Sequence, residues 1–164
     1  MMPQSPRFAF SHVGVTVPDV ALAIDWYTTT LGMYLLVGPL EVLEDDGPLG
    51  KAATGIYGVG FTRFQFAHLA GIDGIGIELF EFDSPKSVRR NDNFEFWMGG
   101  IYHFSLTAPD VSGMVDLIVA AGGRQRSEIL VINEEKDYSL VYCEDPWGTV
   151  IELCSHPYSQ LWAG

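Results

Sequence analysis

HVGVTVPDV, residues 12–20, returns as HFSLTAPDV over residues 103–111. Aligned on their histidines, 12–32 and 103–123 agree at His12/His103, Thr16/Thr107, Pro18/Pro109, Asp19/Asp110, Val20/Val111, Asp25/Asp116 and Gly32/Gly123. An internal repeat on this scale implies a structural unit used twice. A second echo follows each copy, GIEL at 76–79 and VIEL at 150–153, so each half carries one histidine and one glutamate.

Each copy predicts a strand and then a helix. Val13, Val15 and Val17 alternate with His12, Gly14 and Thr16, the period of a half-buried strand with the histidine facing away from the valines. Asp19 is the expected N-cap, Val20, Ala23, Ile24, Tyr27 and Leu31 fall at helical spacing, and Gly32 stops the helix. MYLLVG after Gly32 reads as a strand, 40–60 as a long mobile loop, and FTRFQFAHLA with IGIELFEF as a hairpin. The second copy predicts a strand from Ile101, an N-cap at Asp110, a helix with Val111, Met114, Val115 and Ile118 on one face, and strands near 125–132, 138–144 and 149–155. Asp145-Pro146-Trp147-Gly148 is the turn joining the last two.

The fold class expected is α+β, two tandem βαβββ modules at 8–83 and 101–156. Residues 84–100, where Lys86, Arg89 and Arg90 cluster, read as the linker, and 157–164 as a C-terminal tail. The chain of 164 residues is long enough for two small modules. Nine basic against twenty-one acidic residues give a net charge of −12, which repels phosphate backbones and anionic lipids, so neither nucleic acid nor membrane is an expected partner. No apolar run approaches the roughly 18 residues of a spanning helix, and the first ten residues lack a signal-peptide core, which points to the cytoplasm. Cys143 and Cys154 fall out of register in the last hairpin and are expected as two buried thiols.

Strand parity places His12, Glu78, His103 and Glu152 opposite the core-facing residues. Two carboxylates brought together without a cation would have to take up protons, and a divalent metal resolves the repulsion. Two nitrogens and two oxygens suit Ni, Co, Mn, Fe or Zn, one ion per chain. Phe80, Phe82 and Thr107 share the ligand faces and, with Thr16 and Arg63, are candidates to line a substrate pocket.

HVGVTVPD before a helix, IEL in the fourth strand, the second HxxxTxPD and the ending DPWGTVIEL together resemble the vicinal oxygen chelate superfamily, also called the glyoxalase/bleomycin resistance/dioxygenase superfamily. The resemblance runs from about residue 10 to about residue 156 and is nearest to the glyoxalase I and methylmalonyl-CoA epimerase type. It implies two tandem βαβββ modules forming a curled mixed sheet around a metal-binding cleft, with one metal held by His12, Glu78, His103 and Glu152. The ring-cleaving dioxygenases leave the position of Glu78 without a ligand, so this glutamate turns the reading toward proton transfer.

The activity implied is that of a lyase, isomerase or epimerase that chelates neighbouring oxygens of a small carbonyl or thioester substrate and moves a proton through an enediolate. Glu152 is the expected base and Glu78 the matching acid, or the reverse. Glyoxalases that use glutathione commonly carry an arginine where this chain has Thr16, and the opening motif is closer to the epimerases. The alternatives are an Fe(II) dioxygenase, in which Glu78 would not ligate, and a protein that sequesters a small molecule without catalysis. A homodimer is expected from the relatives.

Overall fold

A computed structural model describes residues 8–89 and 91–162, so Arg90 of the linker cluster lies outside the described residues. Among those described, nine strands form two mixed sheets with four helices, the α+β class expected. The chain divides into two compact units. One runs to Ile24 and resumes over Gly32–Pro85, and the other takes Asp25–Leu31 and everything from Lys86 onward.

In the first unit, β1 (His12–Thr16) lies parallel to β4 (Gly76–Phe82), which pairs antiparallel with β3 (Arg63–Ala70), and β3 with β2 (Tyr34–Leu43), in the order β1-β4-β3-β2. Alternation governs burial as the sequence implies. Val15 and Val17 are buried with Ile77 and Leu79, while His12, Gly14 and Thr16 are exposed. A five-residue turn joins β3 to β4, closed by Gly71 donating its N–H to the Ile75 carbonyl at 2.9 Å and Gly74 to that of Gly71 at 3.0 Å.

Helix α1 (Val20–Thr29) starts where Asp19 Oδ1 accepts the Leu22 N–H at 2.9 Å, and Glu81 Oε2, reaching from β4, accepts that of Val20 at 2.9 Å.

The stretch expected as a mobile loop is ordered structure instead. β2 continues to Leu43, and Pro48–Tyr57 form helix α2. Proline at the first turn loses no needed N–H, so the signal that suggested a loop opens a helix here. Buried Ala53 packs with Val42, Phe61 and Phe64, and Phe66, Phe80 and Phe82 lie against that cluster. Covering these rings supplies the free energy that a sequence of two glycines and a proline does not, at about 2 kcal/mol per buried large side chain.

In the second unit, β5 (Phe104–Thr107) runs parallel to β9 (Val150–Cys154), which pairs antiparallel with β8 (Tyr138–Glu144). The single strand expected near 125–132 is two pieces, β6 (Arg124–Gln125) and β7 (Leu130–Asn133), both on β8. Between them Arg126 and Ser127 both donate N–H to the Tyr142 carbonyl, and Ser127 Oγ accepts the Tyr142 N–H, which breaks the ladder. β5 begins at Phe104 rather than Ile101, leaving His103 immediately before the strand.

Helix α3 (Val111–Ala120) has the expected cap, Asp110 Oδ1 accepting from Gly113 N at 2.9 Å, and buries Val111, Val115 and Ile118. A short α4 (Tyr158–Trp162) ends the described chain, with Leu161 buried against Tyr138, Leu140 and Cys154. Cys143 stands opposite Ile151 and Cys154 opposite Leu140, both thiols buried and unpaired as expected. No helix among the described residues is long and apolar enough to cross a membrane.

Candidate metal centre

The parallel pairing in each unit fixes how a histidine meets a glutamate. Gly14 stands opposite Glu78 on β1 and β4, and Ser105 opposite Glu152 on β5 and β9. His12 and His103 each precede that partner by two residues, one pleat repeat, so they lie on the glutamate's face. His12 Nε2 is 3.2 Å from Glu78 Oε2, and His103 Nε2 is 3.5 Å from Glu152 Oε2.

A third residue joins each pair across the antiparallel ladder. In the first unit His68 is directly opposite Glu78, with Nδ1 at 3.1 Å from Oε1. In the second unit the corresponding residue is Tyr142, directly opposite Glu152. Burial, and after it interaction with the Glu152 carboxylate, push the Tyr142 hydroxyl well above the usual tyrosine range. The sequence motifs single out neither His68 nor Tyr142. The signal was the hairpin itself, because a turn over 71–75 or over 145–149 dictates which residue faces each glutamate.

The surroundings differ. His12, His68 and Glu78 share a cavity of about 180 Å³ with Ser11, Leu36 and Gly76. The face of β3 and β4 carrying Glu78 continues as a ladder of rings, Phe66 opposite Phe80 and Phe64 opposite Phe82, and Phe66 meets the edge of His68 at 5.3 Å. Tyr57 of α2 closes on Phe82 at 5.1 Å, and its hydroxyl is raised by burial and by the charge of Glu78.

Around His103, Tyr102 and Tyr142 stand edge to face at 5.0 and 5.2 Å, and Phe94 packs on both tyrosines beneath the Arg126 guanidinium at 4.7 Å.

The remaining pocket candidates are placed as follows. Phe80 and Phe82 are half-buried members of the ring ladder, Thr16 and Thr107 are exposed strand residues on the faces of His12 and Ser105, and Arg63 is held by Glu41 at 2.6 Å and Asp83 at 2.9 Å. His156 is bonded to Ser155 through Nδ1 at 2.9 Å and packs on Tyr138.

The donor chemistry fits a divalent ion. Each unit offers an imidazole and a carboxylate side by side, and His103 Nδ1 is buried with no hydrogen-bond partner, a ring whose needs the protein alone does not meet. As the side chains stand, no group of three or more His, Cys, Asp or Glu among the described residues is arranged to hold an ion by itself.

Known proteins agree with this architecture. The chain is 24% identical over 152 residues to 2-epi-5-epi-valiolone epimerase from an Actinomyces species, covering 91% of this chain and 80% of that protein. Its fold matches a glyoxalase family protein from Bacillus cereus with a TM-score of 0.75 at 23% identity, over 94% of this chain and 97% of that one. Glyoxalase I from Zea mays superposes with a TM-score of 0.60 at 21% identity, over 90% of this chain and 44% of that longer one. The model of the Glyoxalase/Bleomycin resistance protein/Dioxygenase superfamily matches residues 9–153, nearly the whole chain, which therefore belongs to that superfamily.

Proposed function

We propose that this protein is a divalent-metal-dependent isomerase or epimerase of small carbonyl compounds, with His12 and Glu78 as ligands from the first unit and His103 and Glu152 from the second. The observation that carries the reading is the repeated register, which sets a histidine beside a glutamate at 3.2 Å in one unit and 3.5 Å in the other. The relative named as an epimerase supports the reaction class.

Epimerisation beside a carbonyl needs a proton removed from one face of a carbon and returned to the other, and two carboxylates supply a base and an acid for it. When bound, the ion supplies Lewis-acid polarisation of the substrate oxygens. Glu152, with Tyr142 directly across the ladder, is the proposed base that takes up the proton, and Glu78, starting protonated, the acid that delivers another to the opposite face. Arg63, already taken by Glu41 and Asp83, is left out of this machinery, as Thr16 is of any pairing with a substrate carboxylate. The substrate proposed is therefore a neutral hydroxy-carbonyl compound.

The test begins with elemental analysis of protein purified without chelator, beside His103→Ala. About one transition metal per chain is expected, and its loss in the variant. Glu152→Gln should retain the metal and lose on the order of a hundredfold or more in substrate proton exchange measured in heavy water. A metal-free wild type that takes up none on titration sinks the proposal, and a fully active Glu152→Gln removes the base.

A further inference from the structure

His68 has no part in the four-ligand proposal, yet it touches one of the four more closely than His12 does. Glu78 has two oxygens, and the structure gives each a different neighbour, Oε1 the Nδ1 of His68 at 3.1 Å and Oε2 the Nε2 of His12 at 3.2 Å. A carboxylate gripped at one oxygen has lost its freedom to rotate, so the other oxygen is presented in one direction. Resting on the metal reading above, we infer that His68 is a positioning residue, which holds Oε1 of Glu78 and thereby turns Oε2 toward His12, setting that ligand pair before an ion binds.

Two further observations support the assignment. The His68 ring is itself fixed, by Glu78 directly across an unbroken seven-pair ladder and by the Phe66 edge contact at 5.3 Å. On its other side β2 departs from regular pairing both before and after the pair Val37–His68, with one extra residue in β2 at each place. Bulges of this kind re-aim side chains and gather beside functional sites. The first of them sets aside Leu36, which lines the cavity with His12, His68 and Glu78. The second contains Gly38, at φ +117°, where a Cβ would come within 2.8 Å of the Ala67 backbone, so the chain there tolerates no side chain. The sheet is irregular on either side of His68 and regular on the side of Glu78.

Outer partners of metal ligands set geometry and affinity, and removing one costs about tenfold in metal binding. The experiment titrates Co²⁺ into chelator-stripped protein by calorimetry and visible absorption, comparing wild type, His12→Ala, His68→Gln, and both His68→Phe and His68→Leu, which lack any donor or acceptor. The expected result is one Co²⁺ per chain in wild type and in the two apolar variants, with the dissociation constant raised about tenfold and the ligand-field spectrum shifted in those variants. His68→Gln, which keeps an N–H donor, should recover most of the affinity.

Wild-type affinity and spectrum in either folded apolar variant overturns the inference, and so does complete loss of Co²⁺ in both, which would make His68 a ligand. If wild type binds no Co²⁺, or binds it as well as His12→Ala, the metal reading falls and this inference with it. If His12→Ala loses the ion and His68→Phe changes nothing, only the inference falls.

Discussion

Glu78 and Glu152 occupy the same place in two copies of one motif, each beside a histidine across a parallel pair, yet across the antiparallel ladder one meets an imidazole and the other a phenol. Register is the part of the motif that both copies keep, because a shift of one residue would turn every side chain to the opposite face. The residue opposite the carboxylate is under no such constraint and has diverged. A phenol held protonated can only donate to Glu152, whereas a neutral imidazole offers a donor on one nitrogen and an acceptor on the other. Equal geometry thus carries unequal chemistry.

The bracing of the two ladders differs as well, and the largest expected effect probes it. In the second unit Glu144, 2% exposed, receives Arg124 and Arg126 on its two oxygens, and Arg126 reaches on to Asp92. Glu144→Gln leaves those guanidiniums without their buried counter-charge and should cost about 3 kcal/mol in a denaturant melt. A loss well below that would mean the second sheet stands without its ion pairs.

Tyr142→Phe comes next and sharpens the comparison directly. Removing the hydroxyl of the residue opposite Glu152 should weaken metal binding about tenfold, matching His68→Phe. A silent Tyr142→Phe beside a weakened His68→Phe would show that only the first glutamate needs holding.

The same hydroxyl gives a pH dependence. Its value in the folded protein lies above that of an unfolded tyrosine, about 10, so its contribution to stability is complete below that pH. It is lost as pH rises toward the folded value, because the unfolded chain releases its proton first. Ultraviolet titration should therefore show one fewer late tyrosine in Tyr142→Phe than in the wild type, where the buried Tyr27 also titrates late.

The smallest effect is expected at the exposed counterpart in the first unit. Arg63→Met, which frees Glu41 and Asp83 at the surface, should leave the unfolding midpoint without measurable change, since exposed pairs contribute little.

The faces of His12, Glu78 and Glu152 were legible in the sequence because strand alternation has a period of two and each is flanked by residues that must be buried, Ile77 and Leu79 about Glu78, Ile151 and Leu153 about Glu152. Both helix starts were legible in Asp19 and Asp110. Helix α2 was not, since Pro48 reads equally as a loop residue, Gly50 and Gly55 argue against a helix locally, and the packing of Ala53 among phenylalanines is what favours one. His68 and Tyr142 were hidden for another reason. Their importance lies in what stands opposite them, and opposition belongs to the register of two strands, not to either strand alone.

Helix α1 opens in one unit and closes in the other. Val20 gives its N–H to Glu81 at 2.9 Å, while two turns on the Trp26 indole donates to the Ala121 carbonyl at 3.0 Å and the Tyr27 hydroxyl to the buried Asp145 at 2.9 Å. The boundary between the copies in the sequence is thus no place to cut the polypeptide. A fragment ending at the linker would keep Tyr27 but lose both the unit to which it belongs and the Asp145 carboxylate that accepts its O–H, so half of a helix it contains would have no interior to complete it.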